Sequence, residues 1–412
     1  MTPPSKSRRG PSLAYLAGTY PAISHTFILR EVREMRARGF HIQTASIDFP
    51  NWAAGECGSA EVQETSSTFY VKRRGLTWML ADHAVCFLRR PLRYLAGLGF
   101  AFRLAGLDLR DVVLHVAYFA EAVVVGRWME RNALAHLHVH FANASATVAL
   151  LAGRVFGIPY SITIHGTDEF YGLALYRLPQ KIESASFACC IGRYCRSQAM
   201  KASAPDQWEK LEICPLGIDP EVFTPRQAAT GGPFEILCVG RLVPAKGQSI
   251  LLAAAAKLIE RGRNLHVSLV GDGPARALFE AVAARLKLTG HVKFHGSVTQ
   301  DRIRNYLERA DAFVLPSFAE GVPVTLMEAM AMEIPSVSTF IGGIPELIQS
   351  GENGILVPPS DPDLLADAIE KLIADPELCA RLGRAGRRTV VSRYNLRSNV
   401  ERKASIFDRR LK

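Results

Sequence analysis

Short apolar runs alternate along the chain with stretches whose apolar residues recur every three or four positions, the marks of strands and helices in turn. Leu13 to Ala17 reads as a strand that ends at Gly18. Phe27, Ile28, Val32 and Met35 give Thr26 to Arg38 helical spacing, and Gly39 stops it. Ile42 to Ile47 is the next strand. Further on, Leu137 to Phe141 is strand-like, Ala146 to Phe156 is helical and closed by Gly157, and Tyr160 to Ile164 is again a strand. Such alternation predicts a parallel sheet covered by helices on both faces.

The second half repeats the scheme. Strands are read at Glu235 to Val239, Leu265 to Val270, Val292 to His295, Ala312 to Leu315 and Ser336 to Ser338. Helices are read at Gln248 to Arg261, Ala275 to Leu288, Gln300 to Arg309, Pro323 to Met332 and Asp361 to Ala374, two of them with Pro near the first turn. Between the halves run Cys214-Pro-Leu-Gly-Ile-Asp-Pro, Thr224-Pro225 and Gly231-Gly232-Pro233, the strongest boundary in the chain. The expected organisation is α/β: a domain over 1–218, a linker over 219–233 and a second domain over 234–392, both Rossmann-like and doubly wound. Two such domains joined by a linker predict a cleft between them, where ligands bind by preference.

Composition narrows the class. The 412 residues are 48% hydrophobic, which excludes a disordered chain. The best apolar run, Val112 to Trp128, is broken by His115 and Glu121 and falls short of the roughly 18–20 residues that span a bilayer. The first twelve residues are polar, basic and Pro-rich, with no apolar stretch of a secretory signal after them, so a cytoplasmic chain is expected. Cys57, Cys86, Cys189, Cys190, Cys195, Cys214, Cys238 and Cys379 show no repeated C-x-x-C pair and read as buried thiols rather than a metal or redox site.

Charge changes the picture further. Lys and Arg number 49 against 39 Asp and Glu, a net +10. Between Tyr70 and Arg110 eight basic residues face two acidic ones, an excess of six, interleaved with Leu76, Trp78, Met79, Leu80, Phe87, Leu88, Leu92, Leu95, Phe100 and Phe102. Basic amphipathic helices of this kind lie on anionic lipid; the other reading is an ordinary helix pair with a solvated basic face. Nucleic acid is not expected, since no zinc finger, RNP motif or basic zipper accompanies the charge.

The densest chemistry follows the strand ending at Leu315. There Glu320-Gly321-Val322-Pro323-Val324 leads into a helix carrying Glu328. Free backbone N–H groups at a helix start suit phosphate, and a carboxylate accepts from a vicinal diol. Glu320 also reads as a helix cap and Glu328 as a solvated helix residue, although Glu328 stands among Leu326, Met327, Ala329 and Met330. A second group, Gly240-Arg241-Leu-Val-Pro-Ala-Lys246-Gly247, brings two cations to another strand end, an Arg fork and a Lys point charge suited to a diphosphate. Gly271-Asp-Gly273-Pro274 reads as a structural turn.

These motifs, with Gly342-Gly343-Ile-Pro345-Glu346 behind them, resemble the family 4 retaining glycosyltransferases, and the resemblance covers essentially the whole chain. It implies the two-domain GT-B architecture, with a closing helix in 393–412 crossing back to the first domain. It implies a nucleoside-diphosphate sugar as donor, its diphosphate held by Arg241 and Lys246, its ribose by Glu328 and its sugar by Glu320. Gly18 stands where such enzymes often carry a glycine pair, and joins the donor side. No cofactor and no metal ion are implied, because cations and helix amides neutralise the leaving diphosphate. Tyr20-Pro-Ala-Ile-Ser-His25-Thr-Phe-Ile-Leu-Arg-Glu31 resembles a segment of exopolysaccharide-type members, with His25 in place of an acidic residue. His138-Val-His140-Phe-Ala-Asn143 and His165-Gly166-Thr-Asp168 resemble the strand ends beside their acceptor pocket.

The acceptor-side candidates are therefore His25, His140, Asn143, His165 and Asp168, and the catalytic set Arg241, Lys246, Glu320 and His165. Asp168 reads equally as a core or capping residue. His136, His138 and His140 alternate and share one strand face, but lack the carboxylate or cysteine that would close a zinc site. His165, at a strand end, is expected to be exposed. The reading is a retaining transferase of a saccharide or lipid-linked acceptor in bacterial surface polysaccharide assembly, cytoplasmic and peripheral on the inner membrane face. A transferase forming a small soluble glycoside and a silent scaffold relative are the alternatives.

Overall fold

Two parallel sheets organise the chain, whose computed structural model describes residues 12–22, 25–52, 58–166, 168–172, 176–226 and 231–412. In the first, β1 (Ser12–Thr19), β2 (His41–Asp48), β3 (Phe69–Tyr70), β4 (His136–His140), β5 (Tyr160–Ile164), β6 (Phe187–Cys190) and β7 (Leu211–Ile213) lie in the order β3-β2-β1-β4-β5-β6-β7. The helices among them are α1 (Thr26–Ala37), α2 (Ser59–Ser67), α3 (Leu76–Arg89), α4 (Pro91–Ala105), α5 (Leu109–Arg131), α6 (Ala144–Phe156), α7 (Asp168–Tyr171), α8 (Leu178–Ser184) and α9 (Arg193–Lys201). β4 and β5 are buried at every position although both alternate apolar with polar residues, so the polar face of each strand is covered as well as the apolar one.

In the second, β8 (Phe234–Val239), β9 (Leu265–Val270), β10 (Val292–Gly296), β11 (Ala312–Leu315), β12 (Ser336–Thr339) and β13 (Ile355–Val357) take the order β10-β9-β8-β11-β12-β13. Its helices are α10 (Gln248–Glu260), α11 (Arg276–Arg285), α12 (Gln300–Arg309), α13 (Val324–Ala331), α14 (Ile344–Leu347), α15 (Pro362–Ala374) and α16 (Pro376–Arg393), and α17 (Leu396–Arg410) closes the chain. Every neighbouring pair in both sheets is parallel. The strand order reverses between β1 and β4 in one sheet and between β8 and β11 in the other, so each sheet has a switch point at which its ligands are expected.

The chain divides into two compact units. One holds the described residues of Met1–Trp52 with Ser59–Cys214 and Val400–Lys412; the other is built on Pro215–Asn399. The division falls at Pro215, ahead of the Pro/Gly-rich stretch, because that stretch is tied down within the second unit. Ile218 bridges Asn395, and Arg387 donates to the carbonyls of Pro220 and Phe223. The end of α17 belongs to the first unit, where Arg409 and Arg410 pair with Glu212.

The basic segment folds as α3 and α4, with α5 behind them. α5 is long and apolar enough to cross a bilayer, and 61% of its most apolar window is buried within the fold, as in a core helix. Among the described cysteines, Cys189, Cys190 and Cys195 are buried and unbridged.

Candidate functional site

In the second unit the loops after the two switch-point strands are fastened to each other. β8 ends at Val239 and delivers Gly240 and Arg241; a single tight turn over Pro244–Lys246 then leads into α10. Gly247 makes this possible, since a methyl group there would stand 2.0 Å from the Pro316 carbonyl oxygen. The Phe318 N–H donates to Ala245 (2.8 Å), and the Gln248 amide donates to the Arg241 carbonyl (2.8 Å). β11 ends at Leu315 and delivers Ser317 and Glu320.

Lys246 Nζ then meets Glu320 Oε1 at 2.5 Å, and Ser317 Oγ donates to the same oxygen at 2.8 Å. The other Glu320 oxygen has no partner among the described residues. Behind Glu320 pack Gly342 and Gly343; Gly342, at φ +53°, would place a methyl group 2.0 Å from the Glu320 carbonyl oxygen. α10 and α13 both start without a side-chain cap, so their first N–H groups remain for an anion. Arg241 is exposed, and its guanidinium has no protein partner among the described residues. Glu328, on α13, is only 2% exposed, which removes its reading as a solvated helix residue. Gly240, Arg241, Lys246, Glu320, Gly321, Val322, Pro323 and Val324 thus lie on the loops and helix starts at one switch point, with Glu328 about one turn further along α13. Ser317 escaped sequence reading, because a lone serine on a loop carries no pattern.

Gly18 belongs to the first unit, at the carboxyl end of β1, where its carbonyl accepts from Ser46 Oγ. The parallel pairing of β1, β4 and β5 puts the loops after β4 and β5 at the same end of the sheet. His25 packs on Phe141 (4.7 Å between ring centres), and His165 packs on Phe27 and Phe141 (4.9 and 4.4 Å). His165 is half-buried rather than exposed, and its Nε2 lies 3.0 Å from His140 Nδ1. Burial, then His140 and Lys403, hold its pKa well below the usual imidazole value, so the ring is neutral at pH 7. Asn143 is committed to capping α6, accepting from the N–H and Oγ of Ser145. The Asp168 side chain lies outside the described residues.

The working carboxylate beside it is Glu169. It accepts from the N–H groups of His165 and Gly166 (both 2.7 Å) and of Ala142, joining the two loops. Lys181, fully buried, donates to the carbonyls of Ala142 (2.9 Å) and Asn143 (2.7 Å). Burial raises Glu169 to about 7 against those hydrogen bonds and lowers Lys181 to about 7, and the opposite charge of each partly offsets the shift of the other.

The strand-face histidines do acquire a carboxylate. Glu31 from α1 brings an oxygen within 4.8 Å of a nitrogen of both His138 and His140, which corrects the expectation that none closes the group. Its cation is a side chain: Lys403 Nζ donates to Glu31 Oε1 at 2.5 Å and to Thr163 Oγ1 at 3.0 Å. His138 is satisfied by Ser161 and Thr163, and His136 bonds Ser161, so these two are core residues.

The model of the glycosyl transferases group 1 family matches residues 221–389. A GDP-mannose-dependent alpha-(1-6)-phosphatidylinositol monomannoside mannosyltransferase of Mycobacterium tuberculosis is 30% identical over 276 residues, 61% of this chain and 70% of that protein. A putative colanic acid biosynthesis glycosyltransferase, WcaL of Escherichia coli, is 25% identical over 85% of this chain and 87% of its own. Among solved structures, Anabaena HepE in complex with UDP-glucose superposes with a TM-score of 0.74 over 96% of this chain and 99% of its own, at 17% identity.

Proposed function

The chain belongs to the group 1 glycosyltransferases, and we propose that it transfers a sugar with retention of configuration and without a metal ion. The observation that carries this is the placement of Arg241, Lys246, Glu320 and the uncapped start of α13 at the switch point of the second unit. When the bond from the anomeric carbon to the diphosphate oxygen breaks, negative charge grows on the departing phosphate. Arg241, Lys246 and the α13 amides stabilise that charge, the task a metal performs elsewhere. The acceptor hydroxyl attacks from the face the diphosphate leaves, and its proton passes to the departing phosphate oxygen. Glu320 takes hydroxyls of the transferred sugar and Glu328 those of the ribose.

In the first unit, His25 and His165 form the aromatic-lined acceptor side. His140 holds His165 in place rather than touching the acceptor. A saccharide or lipid-linked acceptor of bacterial surface polysaccharide fits the relatives: one acts by name on a phosphatidylinositol mannoside and another in colanic acid synthesis. Lipid-linked acceptors require approach to a membrane, and α3 and α4 are suited to it. Leu76, Trp78, Leu88, Leu92 and Leu95 are all more than half exposed, beside Arg89 and Arg93. Exposed apolar side chains framed by cations fit the anionic inner face of the cytoplasmic membrane, and the unbridged cysteines fit that reducing compartment.

The test uses Lys246→Ala and Glu328→Ala with a panel of uridine, guanosine and adenosine diphosphate sugars. Both variants should stay folded and lose donor turnover; full activity in both overturns the donor site. The anomeric proton coupling of the product decides retention, and undiminished turnover in EDTA decides metal independence.

A further inference from the structure

A cavity opens at the far end of β5 from the loops described above. It has a volume of about 700 Å³ and is lined by Phe100 and Arg103 of α4, Arg154 of α6, Tyr160, and Arg177 and Gln180 at the start of α8. Tyr160 is the first residue of β5, whereas His165 follows its last, so the length of the strand separates this cavity from the acceptor-side loops.

We propose that this cavity binds the phosphate headgroup of an anionic lipid. Three arginines converge on it against one acidic residue, Glu183, and none of the three has a carboxylate partner among the described residues. Arg154 is held over the Phe100 ring, 4.6 Å from its centre, a contact that orients the guanidinium while leaving its N–H groups for an oxyanion. Two of its buried polar atoms lack partners among the described residues: Arg177 Nε, a donor, and Gln180 Oε1, an acceptor. A donor waiting for an anionic oxygen and an acceptor waiting for a hydroxyl together match a phosphodiester that carries a hydroxylated headgroup such as glycerol.

The lipid source follows from what adjoins the cavity. α4, which supplies Phe100 and Arg103, also exposes Leu92, Leu95 and Phe102, and Leu107 stands fully exposed just beyond it. The Arg93 guanidinium lies against Gly157, another lining residue, at 3.3 Å from the position of a methyl group there. Acyl chains leaving the cavity would find that apolar surface. The inference rests on the membrane-surface reading of α3 and α4, and deepens it by naming a discrete headgroup site.

The experiment measures binding to the full chain of dihexanoyl phosphatidylglycerol below its micellar concentration, of inorganic phosphate, and of vesicles with and without phosphatidylglycerol. The unaltered chain should bind the short-chain lipid saturably, one per chain, at least tenfold tighter than inorganic phosphate. Arg154→Gln with Arg177→Gln should lose that binding at least tenfold; Arg103→Gln, at an exposed position, serves should the double variant fail to fold. Leu88→Ser with Leu92→Ser and Leu95→Ser should keep short-chain binding yet lose vesicle binding. Unchanged short-chain binding in the arginine variants overturns the site, and equal affinity for inorganic phosphate overturns its assignment to lipid. Short-chain binding by a chain that ignores vesicles leaves the cavity standing and overturns the membrane-surface reading instead.

Discussion

Glu31 and Lys403, 372 positions apart in the chain, share a hydrogen bond of 2.5 Å with side chains only 8% and 4% exposed. The contact carries the last helix into the core of the first unit, where Phe407 packs on Tyr15, His138 and Phe187. Burial alone would raise the Glu31 pKa, but Lys403 and then His140 outweigh it and hold the carboxyl well below its usual range. Burial would likewise lower Lys403, and Glu31 outweighs it.

Lys403→Met should therefore cost about 3–5 kcal/mol in urea unfolding, because it strands a buried carboxylate. The pair's contribution is lost on acidification below the ordinary carboxylate range, where the depressed group finally takes a proton. It is also lost at alkaline pH above the ordinary lysine range, where the raised group gives its proton up. The difference between the two proteins should be greatest between neutrality and the ordinary lysine range, because at lower pH the stranded Glu31, its pKa raised by burial, takes a proton and escapes part of the penalty. A difference below about 1 kcal/mol in that range would show that the pair does not hold the helix.

Gly342→Ala tests the support behind Glu320. The new methyl group would stand 2.0 Å from the Glu320 carbonyl oxygen, so the loop must move by about an ångström. Displacement of that size costs up to roughly a hundredfold in rate. Gly351→Ala is the control: Gly351 also has positive φ, at +84°, but a methyl group there meets nothing within 4 Å. A large loss of kcat at 342 with little at 351 separates collision from backbone strain; equal losses would refute the packing argument.

The grouping of Arg241, Lys246 and Glu320 in the second unit was legible because its signals are local. A buried strand, a glycine or proline turn and a charged residue occur in that order twice, and the sheet then sets both groups at one switch point. The cluster in the first unit was less so. Glu169, Lys181 and Lys403 are buried charges defined by partners distant in the chain, and nothing in their neighbourhood distinguishes them from solvated residues. Asn143 carried a local signal, since an asparagine ahead of an apolar helix is a cap, but the motif around it drew attention to ligands instead. His165 was misread as exposed because its strand position does not reveal Phe27 and Phe141 closing over it.

Glu169→Gln should loosen the loops after β4 and β5 together. A carboxylate accepts from Ala142, His165 and Gly166 at once, whereas an amide turns its own N–H groups towards some of these donors. Leaving such groups unpaired costs about 1–3 kcal/mol. The melting temperature should fall, and KM should rise for the acceptor but not for the donor. A rise in both, or in neither, would detach Glu169 from the acceptor side.

Lys246 and Glu320 yield the sharpest contrast. At 2.5 Å the ammonium is already engaged, so a diphosphate must compete with Glu320 for it and must also approach a carboxylate of like charge. Glu320→Gln removes both obstacles while keeping shape and hydrogen-bonding capacity. The product nucleoside diphosphate should then bind about tenfold tighter, near 1.4 kcal/mol, even as turnover falls by about a hundredfold or more with the loss of the sugar contact. Lys246→Ala should weaken the same nucleotide and slow turnover as well, because it deletes a cation that the departing phosphate needs. Calorimetric titration of the nucleotide beside steady-state kinetics checks both variants. If Glu320→Gln weakened the nucleotide as Lys246→Ala does, the pair would be a joint binding element, and the competition between carboxylate and diphosphate would be refuted.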